Sequence, residues 1–306
     1  MGPLNLSGKN AFVTGVSDDV GFGWHIAKAL KAAGASVYLA CHPRVLSIVE
    51  RILTRGKNAE ARQLPYGAQG EFQPDGMFGC DVEYDHWDEI PDDKRKMKGY
   101  QEQDVSIEGA MKRFDALTGG DLDILIHSVA FSPEIQKSHI EVSRHAYLQA
   151  MSVSAYSLVA LTQAGLSRFR PGGSAVGLSY LAAQRTVPFY GGGMSSAKAA
   201  LESDARTLAW FAGERSVRVN VISAGPYASR AAKSIGDIEH MVNTTTPKSP
   251  LRRPITPEQV ANAALFLCSG MAEGITGEVI FVDAGFHAMA GLDLPVPSET
   301  PPHEVG

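Results

Sequence analysis

The stretch NAFVTGVSDDVGFGWHIAKALKAAGASVYLAC, Asn10–Cys41, decides the fold. It begins with a short apolar run, Asn10–Thr14, that reads as a buried strand ending at Gly15. A glycine-rich turn follows, with glycines at 15, 21 and 23. Trp24–Ala33 then reads as an amphipathic helix, and Gly34 is its natural stop. Ser36–Cys41 is a second apolar run, and Val45–Leu53 reads as the next helix. Strand, helix, strand, helix in that order calls for a parallel sheet covered on both faces.

The rest of the chain continues the alternation. Strands are expected at Met77–Cys80, Leu122–His127, Ser174–Leu178, Val217–Ile222 and Glu278–Val282. Helices are expected at Val105–Leu117, through a long region Ser138–Arg168, at Met194–Ala212 and at Thr256–Ser269. The last of these opens Thr-Pro-Glu: a good N-cap, a proline suited to the first helical position, and an acid at the positive helix end. No repeat and no linker interrupts the series. The expectation is a single α/β domain over residues 1–290, a Rossmann-like doubly wound parallel sheet of about seven strands with helices on both faces. Residues 55–103 are irregular and charged, and read as two insertions flanking the third strand. They are taken as solvated loops, with a place in a cofactor's adenine pocket or a substrate portal as the functional alternative. Residues 291–306 are Pro-rich and expected to be a disordered tail.

Composition excludes several classes. Hydrophobic residues make up 44% and charged residues 20% of the 306, with a formal net charge of −5 and both signs interspersed. That gives no case for nucleic acid or a membrane surface as partner. No apolar run reaches the length of about 18 residues that a spanning helix needs. The opening MGPLNLSGKN has neither a basic nor an apolar signal region, so a reducing compartment is expected: cytoplasm, or a plastid stroma after removal of a transit peptide. Cys41, Cys80 and Cys268 are far apart without a CxxC or His-rich pattern, so neither a disulfide nor a metal site is expected.

The glycine turn TGVSDDVGFGWHIA, Thr14–Ala27, stands between a first strand and a first helix. A dinucleotide's pyrophosphate binds in such a place, on the unpaired N–H groups of a helix N-terminus, with glycines allowing close approach. The spacing is TGxxxxxGxG rather than G-x-G-x-x-G. Asp81 and Val82 close the third strand, where a carboxylate suits the adenine amino group. Ser128, Val129 and Ala130 close the fourth, where backbone groups suit the ribose. The second strand ends Ala-Cys-His-Pro-Arg without the acid that would repel a 2′-phosphate. His42 and Arg44 there leave NADH and NADPH both open on chemistry alone.

Two tyrosines, Tyr180 and Tyr190, precede Lys198 where a strand gives way to a helix. Many short-chain dehydrogenases carry Tyr-x-x-x-Lys, but here Met194 holds the position four before Lys198. Tyr190 lies eight before it, beyond three glycines. On a continuous helix that spacing would leave the two side chains on different faces. The glycines let Tyr190 enter from a turn, which points to a substrate geometry other than ketone reduction.

The phrases LSYLAAQR (Leu178–Arg185), YGGGMSSAKAALESD (Tyr190–Asp204), VRVNVISAGP (Val217–Pro226), ASRAAKSIG (Ala228–Gly236) and ITGEVIFVDAGF (Ile275–Phe286) occur in order. With them the chain resembles the NAD(P)H-dependent enoyl-acyl-carrier-protein reductases of the short-chain dehydrogenase superfamily, from about residue 4 to 290. The Tyr-x7-Lys spacing is similar to the plant, chlamydial and apicomplexan branch. The resemblance implies NADH as cofactor (NADPH the alternative), an acyl carrier protein bearing an enoyl thioester as partner, and a homotetramer. It implies Tyr190, Lys198 and Tyr180 as catalytic residues. Gly15, Gly21, Trp24, Asp81, Val82, Ser128, Val129, Lys198, Tyr227 and Ser229 would lie along the cofactor. Ala130, Phe131, Tyr180, Tyr190, Met194 and Tyr227 would line the substrate pocket. In two places the chain departs from the family: Tyr227 follows the SAGP segment in place of an aliphatic residue, and His42 stands near the position of an aromatic. A short helix at Ala231–Val242 is expected in a substrate-covering flap that is mobile until ligands bind. The rival readings are another reductase, for enoyl-CoA or 3-ketoacyl thioesters, and a non-catalytic nucleotide-binding regulator.

Overall fold

The run Asn10–Thr14 forms strand β1 at the heart of a seven-stranded sheet, in a computed structural model that describes residues 2–188, 190–229 and 238–290. The other strands are β2 (Ser36–Cys41), β3 (Gly76–Gly79), β4 (Leu122–His127), β5 (Phe169–Ser179), β6 (Arg218–Ala224) and β7 (Val279–Val282). Their order is β3-β2-β1-β4-β5-β6-β7 and every pairing is parallel. Central strands in such a sheet are covered on both faces, which is why they read as continuous apolar runs rather than alternating ones.

Helices α1 (Phe22–Ala32), α2 (Leu46–Thr54) and α10 (Pro257–Cys268) cover one face through Ile26, Leu30, Val49, Val260 and Ala264. Helices α5 (Ile107–Thr118), α7 (Ser157–Gly165) and α8 (Met194–Gly213) cover the other through Met111, Phe114, Leu158, Leu161 and Leu201. The strand order reverses between β1 and β4. The crevice beyond their carboxyl ends is where ligands bind in open α/β sheets.

Several expected boundaries move. The helical region Ser138–Arg168 resolves into α6 (Arg144–Met151), a π-turn at Ser152–Tyr156, and α7. Strand β5 begins five residues before Ser174, because Phe169 pairs with Leu122 ahead of an irregularity in the ladder. Of the helix expected at Ala231–Val242, residues 231–237 lie outside the described residues, and α9 spans Ile238–Thr245. The tail, 291–306, also lies outside them.

The insertions are not the solvated loops expected from their charge. In the first, helix α3 (Ala59–Arg62) ends on a buried arginine. Arg62 donates to the carbonyls of Ile52 (2.8 Å) and Arg55 (2.7 Å) and pairs with Glu71 (2.7 Å). Phe72 is fully buried against Trp24. In the second, which carries helix α4 (Asp92–Arg95), Ile90 and Tyr100 bury with Val105. Glu83 accepts hydrogen bonds from Lys94 (2.9 Å) and from Gln149 on α6 (2.7 Å), clamping the insertion to the main fold.

Candidate active site

Gly15 follows β1 with φ +77, in the left-handed region that favours glycine. A Cβ there would lie 2.0 Å from the Ser128 carbonyl oxygen, so β1 and β4 approach more closely at the crevice than any side chain allows. The turn is then shaped by Asp18, whose Oδ1 accepts from the amides of Val20 (3.0 Å) and Gly21 (2.8 Å). Gly21 is the N-cap of α1. No side chain caps the helix and its first turn holds no acid. Orphan N–H groups and the positive helix end therefore face the crevice, as an anionic pyrophosphate requires.

Asp81, just beyond β3, is 3% exposed. Its carboxylate accepts from the Tyr100 hydroxyl (2.6 Å) and the Glu83 amide (3.2 Å), and His42 Nε2 lies 3.7 Å away. Tyr100 comes from the second insertion, so that insertion holds the carboxylate expected to read the adenine. Burial, outweighing the pull of Asp81, lowers His42 and keeps it neutral near pH 7. Val82 is buried in the core beside this site, and Val129 packs at the edge of the same core.

Tyr190 (8% exposed) and Met194 gather with Tyr180, Ala150, Ala182, Ile135 and Val187 into one apolar cluster. The two tyrosine rings meet edge-on with centroids 4.9 Å apart. Burial, then the neighbouring Tyr180, raises the Tyr190 hydroxyl; burial, then Asp283, raises that of Tyr180. Both are therefore held as proton donors. Gly192 (φ +60) and Gly193 (φ +80) make the turn into α8 that brings Tyr190 back beside the helix. Ile238 and Met241 of α9 close over Tyr180. A cleft of about 390 Å³ opens beside Tyr190, between Gln184, Val187, Gly191 and His139.

Lys198 is buried and donates to the Leu178 carbonyl of β5 (2.7 Å). Burial pushes its ammonium down to about 8, against the pull of the Glu202 carboxylate one turn along α8. Behind it lies His127, fully buried at the end of β4 and pushed down to about 3 by burial and then by Lys198. Ser157 gives its hydroxyl proton to the Val153 carbonyl (2.7 Å), so its oxygen accepts from His127 Nε2–H at 2.7 Å. A π-turn places Ser154 where its Oγ meets both the amide (2.9 Å) and the carbonyl (3.0 Å) of Phe131. Such turns recur at functional sites. Tyr100, Ser154 and Glu202 escaped the sequence reading, since a buried polar side chain on an insertion or a helix leaves no periodic signal.

Two expected site residues have side chains fixed by packing outside the tyrosine cluster. The Trp24 side chain does not face the cofactor crevice: it is fully buried, its indole N–H donates to the Ala61 carbonyl (3.2 Å), and its ring packs on Phe72. The inward face of α1 claims it. Tyr227 does not join the Tyr180–Tyr190 cluster. Its ring lies 5.5 Å from Phe22, and burial, then Glu258 and Asp18, raises its hydroxyl, which puts it beside the glycine turn. Ser229 donates its amide to the Tyr227 carbonyl (2.8 Å). Ala130 and Phe131 are exposed at the crevice mouth.

A sequence model described as Enoyl-(Acyl carrier protein) reductase matches residues 96–287. The chain belongs to this reductase family. The reductase is 45% identical over 297 residues to the NADH enoyl-[acyl-carrier-protein] reductase 2, chloroplastic, of Oryza sativa subsp. japonica, covering 97% of this chain and 79% of that one. It is 36% identical over 290 residues to an NADH enoyl-[acyl-carrier-protein] reductase of Nostoc sp., covering 94% and 99%. Among solved structures it superposes on the Plasmodium berghei enoyl-acyl-carrier-protein reductase with triclosan at a TM-score of 0.89, with 37% identity over 93% of this chain and 99% of that one. The Anaplasma phagocytophilum enoyl-(acyl-carrier-protein) reductase in complex with NAD gives 0.75, with 32% identity over 95% and 97%. Each of these similarities covers more than nine tenths of the chain.

Proposed function

We propose that the reductase reduces trans-2-enoyl groups carried on acyl carrier protein, with NADH, in dissociated fatty acid synthesis. The observation that carries this reading is a protonated, buried Tyr190 at the turn into α8 and a buried Lys198 on that helix, in a fold whose glycine turn suits a pyrophosphate. Bound NADH would supply a hydride to C3 of the enoyl thioester and leave as NAD+. Negative charge would then collect on the thioester oxygen until the enolate takes a proton at C2. The Tyr190 hydroxyl donates to that oxygen, and a donor aimed at developing charge in a dry site lowers the barrier. Lys198 holds the nicotinamide ribose hydroxyls and adds positive charge. Tyr180, Met194 and Ala182 form the apolar wall for the acyl group. Gly15, Gly21 and the first turn of α1 take the pyrophosphate, Asp81 the adenine amino group, and Ser128 and Val129 the ribose side. Ser229 lies along the cofactor edge.

The acidic carrier protein would dock at the mouth of the cleft, where Arg185 stands. Homotetramer assembly is supported by the resemblance and by the exposed Leu148, Tyr156, Trp210 and Phe211 along α6 to α8. Among the described residues no helix is long and apolar enough to cross a membrane. The compartment would be a bacterial cytoplasm or a plastid stroma; two rice relatives and one from Arabidopsis are chloroplastic.

The test follows loss of NADH, then NADPH, absorbance with crotonyl and dodecenoyl thioesters. Wild type should turn over with NADH. Lys198→Ala should lose activity sharply, and Tyr190→Phe by about 10²-fold, the lower range for a positioned proton donor. Tight NADH binding without turnover by wild type would reject the enzyme and favour the regulator.

A further inference from the structure

The reading of Lys198 as the ribose-holding cation leaves one buried acid unexplained. Titratable groups stand on four elements around this part of the fold, and His127 and Glu202 act on Lys198 directly. β4 contributes His127, held neutral. The segment between β5 and α8 contributes Tyr180 and Tyr190, both held protonated. Beyond Tyr180, after β7, stands Asp283, which already pairs with His287 at 2.9 Å and accepts the His287 amide. On α8 itself, four residues on, stands Glu202, 3% exposed.

Glu202 takes no part in the proposed chemistry, yet its carboxylate is fully engaged. Oε1 accepts from Ser179 Oγ at 2.7 Å, and Oε2 from Gln184 Nε2 at 2.8 Å. These donors bracket Tyr180 on the loop that leaves β5. Burying a carboxylate is costly without hydrogen bonds or an opposite charge. Glu202 has the first from the loop and the second one helical turn away, where side chains four apart are neighbours.

We propose that Glu202 is a positioning residue with two linked tasks: it is the counter-charge that keeps Lys198 cationic in the dry site, and the post to which both ends of the Tyr180 loop are tied. A lysine buried beside a neutral histidine loses its proton readily. Burial lowers the ammonium to about 8, and the Glu202 carboxylate at the next turn opposes that fall. The same carboxylate couples the charge that holds the cofactor to the ring that walls the acyl group.

Two variants separate the tasks. Glu202→Gln keeps the shape and removes the charge. For charges about 6 Å apart in an effective dielectric near 20, Lys198 should titrate about one to two pH units lower. The readout is the lysine 13Cε resonance in the cofactor-free protein, assigned by its absence in Lys198→Met. The alkaline limb of kcat/KM for NADH should move with it. Gln184→Ala, at an exposed position, keeps the charge and cuts one tie. It should raise KM for the enoyl thioester about three- to tenfold, the net size of one ordinary hydrogen bond, and leave the Lys198 titration in place.

A Lys198 titration unmoved in Glu202→Gln overturns the counter-charge, and an unchanged KM in Gln184→Ala overturns the tie. If Glu202→Gln does not fold, Glu202→Asp replaces it, keeping the charge but breaking the ties. There, a fall of a full pH unit with the charge retained would mean that packing sets Lys198, and would overturn the proposal. Since the inference rests on the reductase reading, wild-type turnover is measured alongside. Its absence rejects that reading, whereas turnover with an unmoved Lys198 rejects only the inference.

Discussion

Gly15→Ala tests the crevice most directly. The residue sits at φ +77, where an L side chain costs about 1–2 kcal/mol. Its new Cβ would also lie 2.0 Å from the Ser128 carbonyl oxygen, 2.5 Å from the carbonyl carbon and 3.1 Å from the Val129 amide nitrogen. Real contacts essentially never fall below 3.0 Å, so β1 and β4 must part at their carboxyl ends. Forcing extra volume into a packed site adds about 1–3 kcal/mol, for a total near 2–5. Unfolding entropy of about 2.1 cal/mol/K per residue amounts to about 0.64 kcal/mol/K for 306 residues. Tm should therefore fall by about 3–8 °C. NADH binding should weaken at least tenfold, because the strained turn also presents the amides of α1. The assays are thermal unfolding by circular dichroism at one fixed protein concentration and NADH titration by fluorescence. Gly213→Ala, where a new Cβ meets open space, is the control and should hold or slightly raise Tm. A Gly15→Ala protein with the Tm and NADH affinity of wild type would refute the close approach of β1 and β4.

Burial of Lys198 makes a prediction about pH. Its ammonium titrates near 8 in the fold against an ordinary 10.5, so across that window the unfolded chain binds more protons. Stability should rise with pH from about 8 to 10.5, by up to about 3 kcal/mol, and the penalty is fully present below pH 8. Lys198→Met, which also gives up the bond to Leu178, should be inactive yet more stable at pH 7 by about 1–3 kcal/mol; denaturant unfolding that shows it weaker would count against this. Over the same window the free enzyme's kcat/KM for NADH should fall as Lys198 loses its charge, and a flat profile to pH 10 would contradict it. Tyr100→Phe strips Asp81 of a 2.6 Å hydrogen bond and should weaken NADH binding several-fold, with kcat at saturating cofactor within about twofold of wild type. An unchanged Kd would detach the second insertion from the adenine site. Ser154→Ala frees both backbone groups of Phe131, at a cost of about 1–3 kcal/mol, and should raise KM for dodecenoyl more than for crotonyl thioester. Equal KM values for the two chain lengths would show that Phe131 does not shape the acyl path.

The amino-acid sequence by itself determined the α/β class, the parallel alternation, and the bounds of β1, β2 and β4 to the residue. Strands buried on both faces must be continuously apolar, and a helix stop such as Gly34 is written in a single residue. The Tyr190-x7-Lys198 spacing was legible too, because a hydroxyl and an amine at a fixed spacing after a strand is a local pattern. Tertiary structure alone decided what long-range burial decides. It turned Trp24 inward onto Phe72, 48 residues further along the chain, because the inward face of α1 is filled by whatever the first insertion brings to it. It drew Tyr227 to Phe22 rather than to the tyrosine cluster. It also made the insertions part of the site: their apolar anchors Phe72, Ile90 and Tyr100 are scattered without period, and only the docked chain shows that Tyr100 reaches Asp81. A buried polar contact between residues far apart in the chain has no local signature, so Tyr100, Ser154 and Glu202 could be found only once the strands had placed them side by side.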